Sequence, residues 1–426
     1  MNNNISKIDN ENLKMFNLEK EKKNESNESK SIECETCKTC NNFCFIDDDS
    51  LGSENDIDNI LNKKTKRINV KFKCKSEKKI VEENNYNLNK LNIEFYKDLI
   101  TDSYINDIGL DNIFCIFNSI NNILIIIYAN NNQSIILFNI IDNKKINEIK
   151  NAHYNYITNF RHYLDKMKNR DLVISISGYD SNVKVWNINN LECLVNLENI
   201  YKDGELYSAC FINNNNKLYI ITCHDNYPDK PDSIKVFNIN GKKKKRIKES
   251  KERAFFIDSF YDKKNCNNYI IVGNKDYIKS YNFNNRKLFR KYCDNDYDYH
   301  CCIIINNDET EGIVKMIDSS NDGNIRIWNF HTAELISKLE IKKKHNYFHR
   351  LYGFCLYQNE YLFVGCNDKT IKVIKLNNGK IIKNLKGHIE FPVTIKKFVH
   401  PLYGDCLLSK GGEFEPIKLW TIKISN

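Results

Sequence analysis

The densest group of chemically able side chains is a run of four cysteines. Cys34, Cys37, Cys40 and Cys44 are spaced C-x2-C-x2-C-x3-C. Thiolates so spaced can converge on one metal, because a tight turn brings their sulfurs together. The same spacing occurs in bacterial ferredoxins, where proline follows and a second cysteine run completes the clusters. Here Phe45 follows, no second run exists and the flanks are of low complexity. Structural zinc sites use two separated cysteine pairs, and four thiols within eleven residues are cramped for one tetrahedron. The segment is therefore read as carrying no cofactor. Zinc is the alternative, with Cys74 as a spare ligand, and an iron–sulfur cluster or lipidation is more remote.

Two other groups invite chemistry. Residues 292–302 mix Tyr, Asp, His and Cys, and are read as an acidic loop entering a strand, not as a metal site. Lys242 to Arg246 and Lys63 to Arg67 are basic runs, read as a solvated loop and a piece of a disordered tail; the sharper alternative is a nuclear-import signal or a patch for an acidic partner. A net charge of +9 over 426 residues does not by itself mark a nucleic-acid binder. The chain has no Walker loop, dinucleotide fingerprint or zinc-protease motif.

The elements that would position these residues fall into two regions. Residues 1–88 are rich in Asn, Glu, Lys, Asp and Ser and poor in aromatics. Such a segment buries too little apolar surface to offset its ordering entropy and is expected to be disordered. Residues 89–426 alternate short Ile, Val, Tyr and Phe runs with Asn and Asp clusters, the signature of many short strands. Gly (15) and Pro (5) are scarce, so turns are expected to use Asn and Asp, which tolerate left-handed backbone. Most of the 16 cysteines are scattered through these apolar runs, as expected of reduced, buried thiols in the cytoplasm or nucleus. The first ten residues hold no apolar signal core. The longest apolar runs, such as Ile123 to Ala129, fall far short of the ~20 residues that span a bilayer.

A single pattern recurs through residues 89–426: aliphatic, basic, aliphatic, then a large residue. It stands at Val183 to Trp186, Ile234 to Phe237, Ile325 to Trp328, Ile371 to Ile374 and Ile417 to Trp420, with weaker copies at Ile278 to Tyr281 and Ile135 to Phe138. The closing residues fall at intervals of 48, 51, 44, 47, 46 and 46. In a strand the two aliphatic residues face one side, and the basic and large residues face the other. Each interval also holds three more strand candidates, and four strands per ~46 residues make one propeller blade. The expected fold is all-β: a seven-bladed propeller of four-stranded antiparallel blades. The last copy ends six residues from the C-terminus, so Leu91 to Tyr96 is expected to supply the seventh blade's outer strand and clasp the ring.

These copies resemble the WD-repeat family, whose repeat carries Gly-His near its start, Asp in the turn before the third strand and Trp-Asp at that strand's end. The resemblance covers about residues 90–426 and rests on Ala152-His153, Asp180 and Trp186; Asp322 and Trp328; Asp368; and Gly387-His388 with Trp420. Asn replaces the final Asp in five of seven copies, and only three copies hold Trp. The resemblance implies a hydrogen-bonded blade network of His, Ser, Asp and Trp. Only the second copy offers all four, as His153, Ser175 or preferably Ser177, Asp180 and Trp186. This set is structural: its spacing matches the repeat, and no nucleophile elbow accompanies it. The resemblance also implies a partner-binding face, with Tyr156, Tyr179, Lys275, Asn321, Asn367 and Phe391 carried onto it. The expected function is a non-catalytic scaffold or adaptor that binds other proteins in a complex. Three alternatives are weaker. A ubiquitin-ligase substrate receptor would carry Trp-Asp-x-Arg, and a phosphoinositide-binding propeller Phe/Leu-Arg-Arg-Gly; neither occurs. RNA or ribosome association through Lys242 to Arg246 is not favoured.

Overall fold

The computed structural model describes residues 90–101, 112–201, 205–224, 234–247, 254–274, 276–294, 300–308, 312–320, 322–341, 351–412 and 415–425. Their regular structure is entirely strand. The first strand is β1 (Lys90–Ile100). Blade 1 follows as β2 (Phe114–Asn118), β3 (Leu124–Ala129), β4 (Ile135–Asn139) and β5 (Lys144–Ile149). Blade 2 is β6 (Ile157–Asp165), β7 (Arg170–Ser177), β8 (Asn182–Asn187) and β9 (Glu192–Leu197). Blade 3 is β10 (Leu206–Asn214), β11 (Lys217–His224), β12 (Ile234–Asn238) and β13 (Lys243–Arg246). Blade 4 is β14 (Ala254–Asp262), β15 (Asn267–Asn274), β16 (Ile278–Asn282) and β17 (Leu288–Tyr292). Blade 5 is β18 (His300–Asp308), β19 (Ile313–Ser320), β20 (Asn324–Asn329) and β21 (Leu335–Glu340). Blade 6 is β22 (Leu351–Tyr357), β23 (Tyr361–Cys366), β24 (Ile371–Lys375) and β25 (Lys380–Leu385). Blade 7 takes β26 (Thr394–His400), β27 (Gly404–Lys410) and β28 (Ile417–Ser425) from the C-terminal end.

Blades 1 to 6 are antiparallel meanders in sequence order, whereas the seventh sheet runs β1-β28-β27-β26. The first strands of successive blades contact one another around the ring, and β26 meets β2, so the circle closes. The fold is a seven-bladed β-propeller. The N-terminal strand is the outer strand of the last blade, pairing Leu91 with Ile424 at one end and Ile100 with Ile417 at the other.

The recurring pattern explains how the blades stack. In all seven blades the first residue of the recurring tetrapeptide packs towards the following blade, with Val183, Ile234, Ile278, Ile325, Ile371, Ile417 and Ile135 in those seven interfaces. The closing large residue turns to the preceding blade: Trp186 packs with Ile135 and Leu137 of blade 1, Trp328 with Phe256 and Ile271 of blade 4, and Trp420 with Phe363 and Val373 of blade 6. Period-two side-chain alternation thus supplies both faces of every blade from one tetrapeptide. Central strands are covered on both sides and read as unbroken apolar runs, such as the wholly buried β3. The outer β5, Lys-Lys-Ile-Asn-Glu-Ile, is mostly exposed. At one point the stacking needs the absence of a side chain: a Cβ on Gly365 would stand 2.0 Å from the Pro392 carbonyl oxygen of the next blade.

Two expectations about loops are revised. Lys243 to Arg246 are not a loop but the outer strand of blade 3, paired with β12. Lysines on an outer edge discourage pairing with another chain. Of the 17 non-glycine residues with positive φ among those described, nine are Asn and none is Asp. The Asn that replaces the repeat's final Asp has a defined task. The side-chain oxygens of Asn139, Asn187, Asn238, Asn282 and Asn329 each accept the backbone N–H two residues on, at 2.9, 3.2, 3.2, 3.0 and 3.0 Å, shaping the turn into the outer strand. The N-terminal tail, the Lys63 to Arg67 run, and Cys34, Cys37, Cys40, Cys44 and Cys74 lie outside the described residues. No helix of the described residues is long and apolar enough to cross a membrane.

Candidate functional site

The second blade brings together three of the four residue types expected in its network, through the other of its two serines. Trp186 Nε1 donates to Ser175 Oγ at 2.8 Å, and His153 Nε2 lies 2.7 Å from the same oxygen. Ser177 does not belong to this set; its hydroxyl is buried without a hydrogen-bond partner among the described residues. The register explains the choice. Ser175 faces Lys184 across the β7–β8 pair, which makes it the diagonal neighbour of Trp186, while Ser177 faces Asn182 one full pleat further on. Asp180 does not complete the set either, because His153 Nδ1 has no hydrogen-bond partner among the described residues. Burial, aided by the Lys184 charge, pushes the His153 pKa down to about 3, so the imidazole is neutral.

The seventh blade holds a second network, in which the expected His388 and Trp420 are joined by a serine and an acid that the sequence reading did not name. Trp420 Nε1 donates to Ser409 Oγ at 2.7 Å, and His388 Nε2 lies 2.7 Å from it. Ser409 faces Lys418 in the same register, and the serine precedes the tryptophan by eleven residues in both blades. That shared spacing was the available signal. Glu415 fills the acidic place: its Oε1 lies 2.9 Å from His388 Nδ1 and accepts Ile389 N–H at 2.9 Å, and Oε2 accepts Glu390 N–H at 3.3 Å. Burial raises the Glu415 pKa, but His388 and these N–H groups outweigh it and hold the carboxyl below its usual range. In blade 5 the serine's place is taken by Asp318, opposite Arg326, and Trp328 Nε1 donates to Asp318 Oδ2 at 2.6 Å.

Both serines are wholly buried and held between a tryptophan N–H and an imidazole. A hydroxyl so enclosed has no approach for an acyl substrate, and the networks fix blade geometry. Elsewhere the turn aspartates bind the basic residue of the recurring pattern. Asp322 meets Arg326, Ser320 and Asn324 N–H, and Asp368 meets Lys372 and Thr370. The basic residues of blades 2, 3 and 4 lie over aromatic rings: Lys184 over Tyr154 and Trp186, Lys235 over Tyr201 and Lys279 over Tyr277. Arg326, Lys372 and Lys418 face carboxylates, the last reaching Asp98 of the clasp strand at 2.8 Å.

The networks also fix one end of the ring. The loop before β6 and the β7–β8 turn share that end, because Ile157 pairs with Ser177. Leu206 N–H donates to Gly178 O at 3.0 Å, and Ile113 N–H to Thr394 Oγ1 at 3.2 Å, so blades 3, 1 and 7 start there too. Tyr154 is 84% exposed, Ile389 69% and Tyr179 41%. Of the six residues expected on this face, Tyr179 is exposed, and Tyr156 and Asn367 are half-buried. Phe391 is half-buried and packs against the blade 7–blade 1 core. Lys275 and Asn321 lie outside the described residues. Tyr154 and Ile389, each one residue after a network histidine, were missed. Among the described residues no three His, Cys, Asp or Glu side chains gather as a metal site would require. The sequence matches no protein-family model and no curated protein.

Proposed function

We propose that this chain is a non-catalytic scaffold or adaptor of the WD-repeat kind, presenting one end of the ring to protein partners. The observation that carries this reading is the pairing of Tyr154 and Ile389 with the buried networks. Each exposed apolar residue directly follows a histidine locked to a buried serine, His153 in blade 2 and His388 in blade 7. Large apolar side chains held on rigid backbone make interface anchors at low entropic cost. The serine and histidine groups that could suggest hydrolysis are consumed in packing.

Affinity capture from native cells with the full chain tests the reading. The comparison is wild type against the triple variant Tyr154→Ala, Tyr179→Ala, Ile389→Ala. Loss of the captured proteins at unchanged melting temperature supports it. Capture of RNA or lipid without any protein would overturn it.

A further inference from the structure

The first strands of blades 2, 4, 5, 6 and 7, with the lead-in to blade 1, line an open cavity of about 380 Å³ at the centre of the ring. This volume falls within the range of small-molecule sites. Its lining pairs apolar rings, Phe256 and Phe354, with a few polar groups: Asn112, Arg161, Lys396 and Asp258. Lys396 comes from blade 7, Asn112 from the lead-in to blade 1 and Arg161 from blade 2, so three consecutive blades supply the donors. Arg161 and Lys396 both bear electrostatically on the Cys115 thiol, which places the two cations around one region.

Two features mark this region as built for a negative charge. The Lys396 ammonium donates to Asn112 Oδ1, a neutral acceptor, and no ion pair joins it to a carboxylate among the described residues. Asn112 is only 3% exposed, and its Nδ2 has no acceptor among the described residues. A buried amide N–H left unmade is costly, and the residue persists here in left-handed backbone at φ 52°. An oxyanion beside Lys396 would take up that N–H and the ammonium together. Against two cations the lining offers one carboxylate, Asp258.

We propose that the central channel binds a small molecule consisting of an oxyanion on a compact apolar body, its charge held by Lys396 and Asn112 and its body lying among Phe256 and Phe354. This goes beyond the scaffold reading, because the site lies inside the ring and not on its exposed end.

The test is thermal melting of the full chain titrated with phenyl phosphate and with benzoate, and with phenol as the neutral control. The expected result is a saturable rise in melting temperature with at least one anion and none with phenol. Asn112→Asp places a carboxylate beside Lys396, and Lys396→Gln removes the charge; each should weaken apparent affinity by about tenfold or more. Melting of the unliganded variants checks that they fold, and the wild-type titration stands without them. No saturable rise with either anion would overturn the proposal, as would an equal rise with phenol or unchanged affinity in both folded variants.

Discussion

Ser175 Oγ lies between Trp186 Nε1 at 2.8 Å and His153 Nε2 at 2.7 Å, while Ser177, two residues on, has no partner for its hydroxyl among the described residues. Both side chains are wholly buried, so they differ in bonding and not in exposure. Ser175→Ala leaves an indole N–H and an imidazole nitrogen unsatisfied and should cost about 1–3 kcal/mol. Ser177→Ala removes an unsatisfied hydroxyl and should be neutral or slightly stabilising. Urea unfolding of the two variants checks this, and equal losses would refute it.

The same network makes stability depend on pH. His153 has its pKa held down to about 3 against an ordinary 6.5, chiefly by burial. Between those values the unfolded chain binds a proton that the folded chain refuses. The contribution is therefore full above about pH 6.5 and is lost as pH falls towards 3. From pH 6.5 to 4.5 the loss should reach roughly 2–3 kcal/mol. His153→Gln lacks this effect, so the gap between wild type and variant should close on acidification. Parallel pH profiles would sink the assignment.

Arg326 is wholly buried, meeting Asp294 and Asp322, with Asp318 opposite it across the strand pair. Burial tends to raise the Asp322 pKa, but Arg326, Ser320 and Asn324 N–H hold it down to about 2. Arg326→Met strands these acids without their cation and should cost about 3–5 kcal/mol at pH 7. Some of the loss should be regained at lower pH, as the stranded acids take up protons. Denaturation at pH 7 and pH 5 measures both effects, and a loss under 1 kcal/mol at pH 7 would argue against the buried cluster.

The fold was legible because its determinant is local: one tetrapeptide per blade fixes which residues face each neighbour, and its spacing counts the blades. The networks were only half legible. His153 and Trp186 follow a spacing, but choosing Ser175 over Ser177 needs the β7–β8 register, which no local pattern specifies. Glu415 was hidden because it replaces an aspartate and lies one residue further from its serine than Asp180 does from Ser175. The channel groups were invisible, since Asn112, Arg161 and Lys396 meet only when three blades close on one axis.

The cysteines should divide by position. Burial pushes Cys115 and Cys366 up to about 12, and Cys355 and Cys406 up to about 11, whereas Cys193, Cys266 and Cys293 are exposed. Only the thiolate alkylates readily. Brief iodoacetamide treatment at pH 8, read by peptide mass spectrometry, should modify Cys266 and Cys293 well before the buried four, with Cys193, whose thiol burial also pushes up, behind those two. Comparable rates across both sets would contradict the packing.

Ring closure rests on β1, and Ile93 is its most informative residue. It is buried among Cys355, Phe363 and Val373 of blade 6 and Leu407 and Trp420 of blade 7. Its carbonyl accepts Lys383 Nζ of blade 6 at 2.8 Å, so the clasp strand also ties to the neighbouring blade. Phe95, two residues on, meets the Trp420 ring edge-on at 5.4 Å but is about half exposed. Ile93→Ala opens a cavity at a blade interface and should cost about 2–5 kcal/mol. Phe95→Ala loses one aromatic pair and should cost about 1 kcal/mol. Because the clasp joins the two ends of the ring, Ile93→Ala should also raise amide hydrogen exchange in β1 and β28 before blades 2 to 4 respond. Uniform exchange across all blades would mean that closure does not depend on this strand.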